Sequence, residues 1–247
     1  MLNKIKNYIE YERCKRNPIY FINNYLKYTG FNGKETPIKL FDYQEKYINS
    51  VQKNKLNLGA WSRQNGKTIT NIAIVVWNLI FKSNDTVIVY SFKETMNREI
   101  RLKIMEMLSL LPKWLLNDTD VVFNNNKILV KNNKCLFMGP LVDIRTRASE
   151  KEVNLLVVDE FSLVMKENAR NLINVFDNLD KAKISILSTL SPDPFHPFNS
   201  LFKDSKMGLN SFVSSQTSWK DNPNRDDAWA KKRMDIIGLI GFNREYG

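Results

Sequence analysis

Leu56-Asn57-Leu58-Gly59-Ala60-Trp61 runs straight into Ser62-Arg63-Gln64-Asn65-Gly66-Lys67-Thr68, and an apolar run from Ile69 to Phe81 follows. The first stretch has the length of a strand, the last has the length and period of a buried helix, and Gly66 marks the turn between them. In a strand, loop and helix of this kind the loop's backbone N–H groups and the positive end of the helix dipole converge on one spot, which suits phosphate. A Lys at the helix start reaches the β- and γ-phosphates of a nucleotide, and the hydroxyl that follows it can ligate Mg²⁺. Those roles fall on Lys67 and Thr68, with Ser62, Arg63, Gln64, Asn65 and Gly66 as the candidate phosphate cradle. The stretch departs from the usual G-x-x-x-x-G-K-[ST] pattern at its first Gly position, where Trp61 stands.

Outward from this unit, strands and helices alternate. Thr86 to Ser91 is a β-branched run, Lys93 to Leu111 reads as a helix stopped at Pro112, and Val121 to Phe137, broken twice by Asn-rich turns, reads as short antiparallel strands. Val153 to Val158 is a further buried strand, Asn168 to Leu179 a helix, and Ile184 to Ser188 a strand ending at Thr189. Strands that are apolar on both faces and alternate with helices predict an α/β fold with a mostly parallel sheet covered on each side. Upstream, Asn17-Pro18 starts a helix with Ile19, Phe21, Ile22, Tyr25 and Leu26 on its apolar side, and Gly30 and Gly33 mark a loop. Beyond Pro192 the chain reads as loop-rich, with a helix near Asp226 to Ile240.

The second chemical element is Leu155-Leu156-Val157-Val158-Asp159-Glu160. An Asp at the end of a buried strand beside a phosphate loop can hold magnesium through water, and the next Glu can orient and deprotonate an attacking water. Asp159 and Glu160 are assigned those two roles.

Composition narrows the class. The chain has 247 residues with 43% hydrophobic and 11% aromatic side chains, enough for a packed core and too many for a disordered chain. Lys and Arg number 37 against 26 Asp and Glu, a net +11 that asks for a polyanionic partner, of which nucleic acid is the commonest. The two cysteines, Cys14 and Cys135, fit no metal-ligand spacing and are expected as reduced thiols. No run approaches the roughly 20 apolar residues of a membrane span. His196, in the stiff loop Pro194-Phe195-His196-Pro197-Phe198, is expected to be a packed imidazole, and Lys231-Lys232-Arg233 the wet face of a helix.

Ser-Arg-Gln-Asn-Gly-Lys-Thr as a deviant Walker A and Leu-Leu-Val-Val-Asp-Glu as Walker B resemble the large terminase subunit of tailed bacteriophages, the motor that packages DNA into the capsid. Phe41-Asp42-Tyr43-Gln44 looks like that family's adenine-recognition segment, Leu110-Leu111-Pro112 like a common helix ending, and Ser188-Thr189-Leu190-Ser191-Pro192 like its coupling motif. The resemblance covers about residues 17 to 247. It implies a P-loop NTPase fold of the RecA-like type, with residues 1–40 as an N-terminal helical or lid segment, 41–240 as the ATPase core and 241–247 as the start of a linker. It further implies that Gln44 contacts adenine, that Arg63 senses or stabilises the γ-phosphate, and that Thr189, on a strand between the two Walker strands, couples hydrolysis to movement. Either Arg145 or Arg147, upstream of Walker B, would serve a neighbouring subunit's ATP.

The implied cofactors are ATP and Mg²⁺. The implied partners are double-stranded DNA, further copies in a pentameric ring on the capsid portal, and the small terminase subunit, all in the cytoplasm of an infected bacterium. Family members carry a nuclease after the ATPase, and the sequence to Gly247 offers no acidic strand for one, so no nuclease activity is expected. Two rival readings share the motifs. A helicase-like translocase would need a second core domain, and a nucleotide-binding switch would have no use for Glu160 as a base.

Overall fold

The predicted alternation closes into a layered α/β architecture in the computed structural model, which describes residues 2–30, 32–116, 121–124, 127–138 and 153–247. In chain order the elements are α1 (Leu2–Arg16), α2 (Pro18–Tyr25), the short antiparallel pair β1 (Lys27–Thr29) and β2 (Glu35–Pro37), and α3 (Asp42–Lys53). The strand-loop-helix unit is β3 (Leu56–Trp61) and α4 (Lys67–Phe81), followed by β4 (Thr86–Ser91) and α5 (Glu94–Ser109). Three strands come next: β5 (Val121–Asn124), β6 (Lys127–Val130) and β7 (Asn133–Met138). The last part holds β8 (Leu155–Asp159), α6 (Lys166–Phe176), β9 (Lys183–Ser188), α7 (Pro197–Lys206), β10 (Val213–Thr217) and α8 (Asp227–Tyr246).

Among the described residues the main sheet has eight strands in the order β10-β3-β9-β8-β4-β7-β6-β5. The pairings from β10 through to β7 are parallel, and β7, β6 and β5 form an antiparallel edge. Strand β9 therefore lies between β3 and β8, as the resemblance implied for the strand ending at Thr189. Parallel neighbours put the C-terminal ends of β3, β9 and β8 along one rim, where α/β sheets bind ligands.

Each face of the sheet carries its own apolar layer. On one, α4 is buried almost all round, and Ile72, Ile74, Val76, Leu79 and Ile80 pack with Val87, Val89, Leu155 and Val157. A helix apolar on every side belongs inside, and each such side chain contributes roughly 1.5–3 kcal/mol of transfer free energy. Residues 1–40 add Cys14, Phe21, Ile22 and Leu26 to this same layer. On the other face Leu172, Val175, Phe198 and Phe202 cover Leu58, Leu156, Val158 and Ile186.

Elements at the two ends of the chain depart from the sequence expectation or left no signal in it. The stretch after Pro192 is not loop-rich, because it contains α7 and β10 before α8. Val213-Ser-Ser-Gln-Thr217 is polar and lies at the sheet's end, so it lacks the apolar alternation that marks a strand. Helix α1 buries only Cys14 among its residues and so shows no apolar periodicity. Helix α8 runs on to Tyr246 across a break at Gly238, whose φ of 73° is outside the helical region and easily adopted by Gly. Residues 241–246 belong to this helix, with Gly247 as its C-cap. No helix among the described residues is long and apolar enough to cross a membrane.

Candidate functional site

The loop between β3 and α4 is held from several directions. Trp61, at the position where the usual motif has Gly, is 1% exposed, stands edge-on to Tyr43 and Tyr47, and donates its indole N–H to Ser215 Oγ of β10 at 2.9 Å. Asn65 donates to Thr217 Oγ1 (3.0 Å) and to the Ser218 carbonyl (2.9 Å), while Tyr43 donates its hydroxyl to the Asn65 carbonyl at 3.1 Å. Gly66 is left-handed with φ 74°, and a Cβ there would lie 2.5 Å from Gln44 Nε2. Gly is required at this position on both counts.

The inner wall is buried. Lys67 is 4% exposed, and its ammonium donates to the carbonyls of Trp61 and Ser62 (each 3.3 Å) while lying 3.3 Å from Glu160 Oε1. Thr68 donates its hydroxyl to Asp159 Oδ2 at 2.8 Å, and Asn71 donates its amide to Asp159 Oδ1 at 2.9 Å. Burial pushes the Asp159 carboxyl up to about 6; the neighbouring Glu160 charge adds to the rise, and the bonds from Thr68 and Asn71 and the Lys67 charge oppose it. Glu160 follows β8 in a left-handed conformation with φ 52°, a backbone strain that turns its side chain away from the strand direction. Its Oε2 accepts the Thr189 N–H at 3.4 Å, and Thr189 Oγ1 lies 3.3 Å from Ser162 Oγ.

The outer wall is wet. The Arg63 side chain is 62% exposed, and its guanidinium meets Glu245 Oε2 at 3.1 Å while its backbone N–H donates to the Glu245 carbonyl at 2.8 Å. Arg225 Nη2 donates to the carbonyls of Arg63 (3.1 Å) and Gln64 (3.0 Å), with its guanidinium stacked 4.4 Å over Trp229. Gln64 itself is left-handed, with φ 60°.

Beside the loop opens a cleft of about 580 Å³ lined by Tyr28, Ile38, Phe41, Gln44, Ile69 and Met107 among others. That volume and mixed lining suit a planar heterocycle. Gln44 is buried, accepts from the Phe41 N–H (2.9 Å) and donates to Thr70 Oγ1 (3.0 Å), so its amide is oriented by the fold and retains one free N–H.

The expected site residues Gln44, Ser62, Arg63, Gln64, Asn65, Gly66, Lys67, Thr68, Asp159, Glu160 and Thr189 are thus gathered at one rim. Arg145 and Arg147 lie outside the described residues. Lys231 and Lys232 are exposed on α8, as expected for a wet face. His196 is packed, as its loop predicted: it caps α7 by accepting the Phe198 N–H on Nδ1, and its Nε2 lies 2.8 Å from the Val164 carbonyl. The two cysteines are free and buried.

Sequence reasoning passed over Asn71, Arg225 and Glu245. Asn71 had a signal, an amide three residues after Thr68 inside an apolar helix. The other two had none, since their partners lie 162 and 182 residues away.

The donor set fits a magnesium nucleotide. Hydroxyl and carboxylate oxygens of Thr68 and Asp159 converge, and the described residues contain no cluster of three or more His, Cys, Asp or Glu that would cage a metal by themselves. Mg²⁺ is commonly held by one or two protein oxygens with water and phosphate completing the shell. Ser62 Oγ, in the loop itself, is buried without a hydrogen-bond partner, as an atom awaiting a ligand would be.

No protein-family model matches the sequence. Solved structures with a similar fold include the large terminase of bacteriophage HK97, with a TM-score of 0.67 and 14% identity over 89% of this chain and 47% of that one. The large terminase ATPase domain of Thermus phage P74-26 matches with a TM-score of 0.63 and 16% identity over 85% of this chain and 93% of that domain. The large terminase of another thermophilic bacteriophage, in complex with ADP, matches with a TM-score of 0.59 and 15% identity over 84% of this chain and 52% of that one. The chain therefore spans about half the length of the HK97 terminase and of the ADP-bound one. At these identities the likeness establishes the fold alone, a mostly parallel α/β sheet flanked by helices.

Proposed function

We propose that this chain is the ATP-hydrolysing motor domain of a phage large terminase, driving double-stranded DNA into a procapsid. The observation that carries the reading is the convergence of Lys67, Thr68, Asp159 and Glu160 at one rim, with the Thr189 N–H on the Glu160 carboxylate. The pairing of a phosphate lysine with a carboxylate beyond the metal-binding acid is what hydrolysis requires and simple nucleotide binding does not. The shared fold with terminase ATPase domains supports the same reading.

In this mechanism the loop N–H groups and Lys67 take the β- and γ-phosphates, and Lys67 leaves Glu160 as it does so. Thr68 and Asp159 would hold Mg²⁺, which would neutralise charge gathering on the phosphates. Freed of its ion pair, Glu160 accepts a proton from the attacking water. Arg63 moves from Glu245 to the γ-phosphate, and Gln44 reads adenine in the adjoining cleft. Thr189, bonded to Glu160, carries the change in that carboxylate to β9 and so couples hydrolysis to movement. Arg145 or Arg147 acts on the ATP of a neighbouring subunit in a pentameric ring at the portal, with the small terminase subunit as a further partner. The net charge of +11 supports a DNA contact made through phosphates, which weakens steeply with salt and shows little base preference.

The test is steady-state ATP hydrolysis by the wild type and by Glu160→Gln, each with and without double-stranded DNA, over a range of protein concentrations. The reading expects a fall of about 10²–10⁴-fold in the variant, with wild-type turnover rising with concentration or DNA. Nucleotide binding without turnover under every condition would overturn it in favour of a switch.

A further inference from the structure

Helix α4 buries three polar side chains beyond its first residue, and they behave differently. Asn78 donates to the Ile74 carbonyl one turn back, and Thr70 to the Gly66 carbonyl, so both bonds stay on the helix or its cap. Asn71, 2% exposed, reaches off the helix to the Asp159 carboxylate on β8. Residues three apart share a helix face, and Thr68 and Asn71 use theirs to take one oxygen each of Asp159: Thr68 holds Oδ2 and Asn71 holds Oδ1.

The far side of the Asn71 amide is also engaged. Its Oδ1 accepts from Ser185 Oγ of β9 at 3.5 Å, and Ser185 Oγ lies 2.9 Å from the hydroxyl of Tyr47 on α3. With Ser185 donating to Asn71, the single Tyr47 proton is shared between Ser185 Oγ and the Ile186 carbonyl (3.2 Å), so the ordered part of the chain runs from Ser185 to Asn71 to Asp159. This order orients the amide, since a reversed Asn71 would set its oxygen against a carboxylate. Asn71, Ser185, Tyr47 and Asp159 are each no more than 2% exposed, so the bonds lie in a low-dielectric core where they are strong and costly to leave unmade.

We propose that Asn71 is a positioning residue for magnesium: by occupying Asp159 Oδ1 it leaves Oδ2, the oxygen beside the Thr68 hydroxyl, as the one that faces the cation. The inference rests on the reading of Thr68 and Asp159 as the magnesium-holding pair. Ser185 acts through Asn71, with a smaller effect.

The test uses the fluorescent nucleotide mant-ADP and a Mg²⁺ titration on the intact chain, with melting temperature measured alongside. Asn71→Leu keeps the branching and removes the donor. It is expected to raise the Mg²⁺ needed for half-maximal tightening of mant-ADP by about 10–100-fold, leaving mant-ADP affinity in EDTA within about twofold. Ser185→Ala moves the same midpoint in the same direction by less, and carries the test if Asn71→Leu does not fold. An unchanged Mg²⁺ midpoint in the folded variants overturns the inference, and so does an equal loss of affinity with and without Mg²⁺, which marks a merely structural role. A wild type that binds no mant-ADP overturns instead the nucleotide reading beneath it.

Discussion

The two walls of the loop between β3 and α4 are built on opposite principles. The inner wall, Lys67, Thr68, Asn71, Asp159 and Glu160, hangs on β8 and α4, between the two apolar layers, and its buried polar atoms bond to one another. The outer wall, Arg63 and Gln64 with Arg225 and Glu245, is solvated and rests on α8. That helix is secured by a small aromatic group of Trp219, Trp229, Phe242 and Tyr246, breaks at Gly238, and leaves Ile236, Leu239 and Ile240 exposed. Moving the inner wall means opening the core, whereas moving the outer one breaks an exposed ion pair and a few hydrogen bonds. A packed side and a solvated side are thereby set against each other on one loop.

The hardest test of this contrast removes the inner cation. Lys67→Ala leaves Glu160 beside Asp159 with no buried positive partner and, on the proposed function, takes away a charged bond to phosphate. Loss of about 3 kcal/mol, roughly 10²-fold in ATP affinity, is expected from equilibrium binding. A variant that binds ATP as the wild type does would put the phosphates elsewhere.

Next in size is the hinge between the walls. Gly66→Ala forces a methyl into a left-handed residue 2.5 Å from Gln44, and about 1–3 kcal/mol of destabilisation should follow. At roughly 2–4 °C per kcal/mol for a domain of this size, thermal unfolding should register several degrees.

Arg225→Ala probes the outer wall. Two hydrogen bonds to loop carbonyls and the stacking on Trp229 are lost at a half-exposed site, and about 1 kcal/mol is expected. Amide hydrogen exchange should quicken in residues 62–66 while the strands keep their protection. Uniform loss of protection would show that both walls open together. The smallest effect belongs to Glu245→Gln, an exposed pair worth at most about 1 kcal/mol. Its influence on ATP affinity should fade as salt rises, and a salt-independent effect would mean that the backbone bond from Arg63 to Glu245 dominates.

Lys67, Thr68, Asp159 and Glu160 of the inner wall and Arg63 and Gln64 of the outer one could be read from the chain, whereas Asn71, Arg225 and Glu245 could not. Lys67 and Thr68 follow a strand and a Gly, and Asp159-Glu160 ends an apolar run; each is a local pattern tied to local backbone geometry. The antiparallel edge was legible for the same reason, from Asn-rich turns between short apolar runs. By contrast β10 is a polar strand that pairs with β3 across more than 150 residues, and it gives the loop Thr217 and Ser215. Helix α1, with one buried residue, had no period to read.

Sequence alone determined the strand, loop and helix, the turn at Gly66 and the order of the Lys67 loop and the Asp159-Glu160 strand end, because backbone sterics and side-chain periodicity act over a few residues. Tertiary structure decided what each loop residue faces: Glu245 for Arg63, Arg225 for the loop carbonyls, Asn71 for the second oxygen of Asp159. These contacts join residues 88 to 182 positions apart. At that separation pairing depends on how layers pack and which strands are neighbours, and neither leaves a periodic trace in the chain.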